Sequence, residues 1–241
     1  MTSSVLPDAT GPYDDADLRY SRVAMALHWL IATLILFNLA VGFVMEDLSP
    51  GAKKIIISAH LSSGITVLAF TGLRIWWRVR HRPPPFLPGL AKWERSLAEL
   101  VHFLFYGAMI LTPLSGWAII SANPPAGSPG AIVQQERADL ARAQGRVAPP
   151  ARVSGKSRFW WFAPLPPIAP LANIGAHPDG LEAQHRLHER SAEVHKYLSF
   201  IMIALLMLHV GGALKHQILD GGNEIKRMIP PRRRIKSSRN E

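Results

Sequence analysis

The chain has 241 residues, with 27 Lys and Arg against 17 Asp and Glu, and no Cys. Without a thiol there is no disulfide framework, no iron–sulfur cluster, no thiolate zinc site and no covalent c-type haem attachment. The net charge of +10 does not point to nucleic acid, because eight basic residues lie from Lys215 onward and six more between Arg74 and Arg95, both groups abutting apolar stretches.

In chain order, residues 1–22 form an acidic lead (Asp8, Asp14, Asp15, Asp17), unlike the basic start of a cleaved signal peptide. Four apolar stretches follow. A bilayer core about 30 Å thick needs roughly 20 consecutive apolar helical residues, because lipid offers no partner to an open backbone. Spans are expected over about 23–45, 55–77, 100–122 and 195–216, the last bracketed by Lys196 and Lys215, which can snorkel. Residues 46–54 form a short turn, and Pro83, Pro84 and Pro85 end the second helix because proline cannot continue its ladder. A long loop, 123–190, carries a short helix near 134–144 and an aromatic cluster, Phe159, Trp160, Trp161 and Phe162, read as an interfacial anchor.

The expected fold class is therefore all-α: an integral four-helix membrane bundle over 23–219, with a long outer loop between helices three and four and a basic tail over 220–241. The basic connection after helix two and the basic tail belong on the cytoplasmic side, which puts both termini there in a bacterial inner membrane, with lipid around the helices.

Ionisable residues inside a membrane are costly and default to function, and every span has a histidine. His28 lies six residues past Arg22 and His209 six before Lys215, so at 1.5 Å per residue both sit about 9 Å from the basic end. His60 lies 18 residues before Arg78 and His195 20 before Lys215, an outer pair at about 27–30 Å. His195 and His209 are 14 residues apart, close to a whole number of turns, so one face of helix four serves both levels. Two imidazoles at each level suit a noncovalent b-type haem, and an iron so ligated has no vacant position, which favours electron transfer. The expected iron ligands are His28 with His209 and His60 with His195, with His102 and His216 as lower-ranked alternatives at the inner level. Arg74 is a candidate partner for an inner haem propionate, or it snorkels. Gly64, Gly211 and Gly212 leave room beside the histidines or serve packing, and Pro113 with Gly116 should kink helix three.

Several stretches together resemble the bacterial cytochrome b561 family, related to the cytochrome b subunits of nickel-iron hydrogenases. They are Tyr20-Ser21-Arg22 followed by ALHWL, AHLSSGI around His60, LTPLSGW around Pro113, EVHKYLSF and LHVGGALKHQ in the last span, and the closing run GNEIKRMIP. The resemblance implies two haems, the inner held by helices one and four and the outer by helices two and four, matching the depth argument. It also implies quinone or quinol as a partner, and some relatives act on superoxide. Two features depart from the family: Lys196 follows His195 where an acidic residue is usual, and the loop over 123–190 is long for it.

Three functions compete at this point. The first is a di-haem electron carrier of a respiratory chain. The second is a subunit anchoring a periplasmic dehydrogenase or hydrogenase, with the long loop as its docking surface. The third is a histidine-lined metal or proton transporter, disfavoured because no Asp or Glu falls inside the spans.

Overall fold

The structure, a computed structural model, describes residues 19–85, 91–146, 151–219 and 224–229. Most of the acidic lead and of the basic tail lie outside them. Four long helices dominate: α1 (Arg22–Val44), α2 (Pro50–Arg80), α3 (Lys92–Ser121) and α6 (Leu181–Ile218). All four are long and apolar enough to cross a membrane. Their outward faces carry exposed Leu36, Phe43, Phe103, Met207 and Leu208, an array that water would not tolerate and lipid tails accept.

Local chemistry sets the ends. Ser21 caps α1 by accepting a hydrogen bond from the Ala24 amide at 3.2 Å, and α2 opens with Pro50, whose missing N–H costs nothing in a first turn. At the start of α3 the Glu94 carboxylate accepts from the Ala91 amide and meets Lys215 of α6 at 2.5 Å. Helix α6 begins at Leu181, well before its apolar span. The extra turns carry Glu182 with Arg186 and His185 with Glu189 as i,i+4 pairs, so the helix continues into water once the lipid requirement ends.

The bundle is not evenly closed. Helix α1 packs along α2, α2 along α3 and α3 along α6, whereas α6 stands off from α1 and α2 at the backbone level. Its core is a single apolar layer built from Ile31, Val67, Val101, Ala108, Met109, Met202 and Leu205. In sequence these positions fall between the two histidine levels on α1, α2 and α6, so the layer fills the middle of the bundle.

The connection between α3 and α6 is a folded cap. It contains α4 (Pro129–Ala143), a two-stranded antiparallel hairpin of β1 (Arg158–Phe159) and β2 (Ala163–Pro164), and the short α5 (Ala169–Ala172). Helix α4 starts earlier than the composition of 134–144 suggests, because Ser128 caps it and Pro129 occupies its first turn. Its Gly130 lies against the 173–176 turn so closely that a Cβ would fall 2.0 Å from the Gly175 carbonyl oxygen. The buried Gln184 amide donates to the Leu171 and Ala172 carbonyls, and Trp117 donates to the Pro166 carbonyl at 2.9 Å, which fastens the cap to α6 and α3.

The aromatic cluster does two things. Trp160 turns back onto α2: its amide donates to Ser62 Oγ at 2.8 Å and its indole to Thr66 Oγ1 at 3.0 Å. Trp161 and Phe162 stay exposed, as an interfacial anchor would. Trp160 and Trp161 both have φ in the left-handed region, at 43° and 65°, a conformation bulky residues adopt only when neighbours enforce it. Here Arg158 supplies part of the enforcement by donating to the Trp161 and Phe162 carbonyls.

At the opposite, basic end the chain folds over itself. The segment 224–229, with α7 (Glu224–Arg227), crosses beneath α1. Trp29 donates to the Met228 carbonyl at 2.7 Å, Tyr20 to the Arg227 carbonyl at 3.3 Å, and buried Arg227 to the Pro85 carbonyl at 2.6 Å. The closing run that reads as a tail in sequence is thus stitched to the entry of the first span.

Candidate functional site

Four of the histidines meet in two pairs across the two interfaces where α6 stands off. His28 of α1 faces His209 of α6 with ring centres 6.1 Å apart and planes at 64°. His60 of α2 faces His195 of α6 at 6.1 Å and 74°. With metal–nitrogen bonds of about 2 Å and each nitrogen about 1 Å from its ring centre, two imidazoles on opposite sides of one ion stand roughly 6 Å apart. Both pairs have that separation.

The outer pair has the better-defined surroundings. His195 Nδ1 lies 3.0 Å from the Thr112 carbonyl oxygen and 3.0 Å from Ser115 Oγ. A carbonyl can only accept, so Nδ1 carries the proton and Nε2 keeps its lone pair, the usual way a second partner fixes a ligating tautomer. Ser115 in turn donates to the same carbonyl at 2.7 Å. The ring is held in place by close packing as well: a Cβ on Gly116 would come 3.2 Å from His195 Cε1. The Pro113 imide supplies no amide hydrogen to the Met109 carbonyl, which loosens the ladder of α3 at the level of this site.

Opposite, His60 Nδ1 is buried with no hydrogen bond, with the Asn38 backbone carbonyl as its neighbour, while the Asn38 side-chain carbonyl accepts from Ser63 Oγ at 2.9 Å. Beside the pair runs a cleft of about 80 Å³, lined mainly by apolar side chains of all four long helices and including Gly64, where a Cβ would meet nothing within 4 Å. That apolar lining suits the face of a macrocycle, and His60 and His195 would supply nitrogen ligands from either side; the residues present fit a b-type haem.

At the inner level His209 touches three rings: His28, His102 at 5.1 Å and Phe105 at 5.5 Å. The 5.1 Å separation is shorter than the roughly 6 Å that two imidazoles on opposite sides of one ion require. His102 Nδ1 donates to the Ala98 carbonyl at 2.6 Å, which leaves Nε2 as the lone-pair nitrogen. His102 packs edge-on beside His209, and His28 is the ring at the separation that an opposed pair requires. Arg74 lies within electrostatic reach of His28, His102 and His209, and its Nε donates to the Tyr106 hydroxyl at 3.4 Å. His216, seven residues beyond His209, lies near the end of α6, beyond Lys215. Open space adjoins Gly211 and Gly212 as it does Gly64.

Depth counting pairs these four histidines as the structure does. It does not find Thr112, Ser115, Asn38 or Ser63. Asn38 carries a signal, as the one amide side chain in an otherwise apolar first span; a backbone carbonyl such as that of Thr112 carries none.

Comparison with known proteins agrees with this architecture. Residues 19–231 match the family model described as prokaryotic cytochrome b561. The chain is 27% identical over 213 residues to cytochrome b561 homolog 2 of Escherichia coli, covering 88% of this chain and 91% of that protein. It is 25% identical to the probable superoxide oxidase CybB of Yersinia pestis (89% and 98% covered), and 22% identical to cytochrome b561 homolog 1 of Escherichia coli (89% and 99%). Four membrane-spanning helices, facing histidine pairs and a match over nearly the whole described chain place it in the prokaryotic cytochrome b561 family, as a bacterial membrane electron-transfer protein that binds b-type haem.

Proposed function

We propose that this chain is a di-haem cytochrome of the bacterial inner membrane, with its basic end cytoplasmic, that moves electrons between the quinone pool and a partner at its outer face. The observation that carries the reading is the pair of equal 6.1 Å imidazole separations, one at each level, across the two interfaces where α6 stands off. His28 and His209 hold the inner haem and His60 and His195 the outer one. Held by those histidine pairs, b-type haem would supply a one-electron couple suited to electron transfer rather than to substrate binding.

The protein's own residues position and insulate. The Thr112 carbonyl holds the His195 proton on Nδ1 and so aims Nε2 at the ion. Ile31, Val67, Met202 and Leu205 keep water out of the layer between the levels, which the α6 repeat sets about 21 Å apart. Arg74, a cation below the inner pair, is placed to hold a propionate. At the outer face the folded cap over 123–190 presents Trp161 and Phe162 and is the surface a periplasmic partner would meet. Similarity to a protein described as a probable superoxide oxidase makes superoxide one candidate electron donor there.

Haem extraction and a redox titration of the purified protein test the reading. About two haems per chain and two resolved potentials are expected; a single haem, or no b-type difference spectrum, rejects it. A narrower test is Gly116→Val. A branched side chain against the His195 ring overpacks by about 1–3 kcal/mol, so the outer haem should be depleted while the inner one persists. Full occupancy of both would mean that His195 is not the ring that matters.

A further inference from the structure

The basic end holds a second cavity, separate from the outer cleft. It occupies about 410 Å³ between the entry to α1, the end of α2 and the middle of α3, and four arginines line it: Arg19, Arg74, Arg78 and Arg82. Among the described residues no Asp or Glu lines it, and none of the ion pairs among them involves any of the four. Arg74 and Arg78 are one turn apart on α2, and Arg82 follows just beyond its end. Like charges gathered around one cavity repel, and an anion removes that repulsion.

The remaining polar groups point to the same ligand. Ser21 Oγ already accepts from the Ala24 amide at 3.2 Å and from Trp77 Nε1 at 3.1 Å, so its own proton is left to donate. The Tyr106 oxygen accepts from Arg74, which likewise leaves its O–H proton to donate. The described lining is therefore rich in donors and holds no carboxylate acceptor, the chemistry that suits several acceptor oxygens on one anionic centre. The walls are rigid: His81 stacks on Trp77 at 3.8 Å with planes 10° apart, and Pro83 and Pro84 close one side. The site lies where α2 leaves the apolar zone. Trp76, with Arg80 stacked over it at 5.5 Å, marks the same level, that of lipid headgroups.

We propose that this pocket binds a phosphate group through Arg78, Arg82 and Arg19, and that its source in the membrane is the headgroup of an acidic phospholipid. Basic pockets between transmembrane helices on the cytoplasmic side bind such headgroups by this chemistry. Arg74, the deepest of the four, is left to the inner haem.

The test uses the delipidated holoprotein in neutral detergent, with Arg74 intact. Thermal unfolding is followed by tryptophan fluorescence, and bound lipid is counted by native mass spectrometry, with added phosphatidylglycerol, phosphatidylcholine or inorganic phosphate. Phosphatidylglycerol should raise the melting temperature and persist as a bound lipid, and phosphatidylcholine should do neither. At roughly fivefold per arginine, the double substitution Arg78→Gln with Arg82→Gln should weaken that response about thirtyfold. The same substitutions at Arg142 and Arg186, on the opposite side of the bundle, should leave it unchanged. If the double variant does not fold, Arg82→Gln alone, outside any helix, should still weaken the response about fivefold. An equal shift from inorganic phosphate, lost in the same variants, keeps the phosphate site and assigns it to a soluble ligand. Equal responses to both lipids, or a response that survives the arginine substitutions, overturns the proposal. Haem content is measured in parallel, so failure of the di-haem reading is distinguishable from failure of this one.

Discussion

Replacing His209 by Ala should remove the inner haem and leave the outer one, lowering haem content from about two to about one per chain. His28→Ala should do the same, because His28 is the ring that faces His209 at 6.1 Å. His102→Ala should not, although His102 lies at a similar depth and nearer to His209, at 5.1 Å. That separation is too short for two imidazoles opposed across one ion, whereas the 6.1 Å of His28 suits it. The expected phenotype of His102→Ala is retention of both haems with a shifted inner potential, since a group packed against an axial ligand alters the ligand's surroundings without supplying a bond. Loss of the inner haem in His102→Ala with retention in His28→Ala would exchange the two assignments. Pyridine haemochrome quantitation together with a redox titration separates these outcomes.

Much of this site was readable in the sequence because a membrane helix converts residue count into depth. Six residues from Arg22 to His28 and six from His209 to Lys215 give one level, and no tertiary information is needed. Depth is silent on rotation about the helix axis, which is why His102 stays in the sequence reading as a lower-ranked alternative to His28. It is equally silent on the Thr112 carbonyl, since every residue has one and only the packing of α3 on α6 brings this one to His195.

The outer cap was less legible, for different reasons. Apolar content locates the part of α6 that needs lipid, and the helix runs on to Leu181 because Glu182 with Arg186 and His185 with Glu189 support it in water. Those i,i+4 pairs were present in the sequence, as were Ser128 and Pro129 at the start of α4. The left-handed turn at Trp160 and Trp161 had no such signal. Tryptophan does not favour positive φ, and the turn exists because Ser62 and Thr66 of α2 accept the hydrogen bonds of Trp160.

The second large effect concerns the bundle itself. Helix α6 is fixed to α3 by the apolar layer around Met109, Met202 and Leu205 and by Lys215 with Glu94, but it stands off from α1 and α2. On the di-haem reading, haems held between His28 and His209 and between His60 and His195 would add to the layer that Met202 and Leu205 share with Ile31 and Val67 in joining α6 to α1 and α2. A ligand bound a thousandfold above its dissociation constant stabilises the folded state by about 4 kcal/mol. Removing both haems, by extraction or in the double variant His195→Ala with His209→Ala, should therefore lower the melting temperature by on the order of 10 °C. The loosening should also be local. In His195→Ala alone, hydrogen exchange should rise in the part of α6 nearer Leu181 and in the Trp160 turn, while the turns around His209 stay protected by the inner group. Uniform exchange along α6 in that variant, or a melting temperature unchanged in the haem-free protein, would mean that packing on α3 alone holds the helix and that the haems only occupy the gaps.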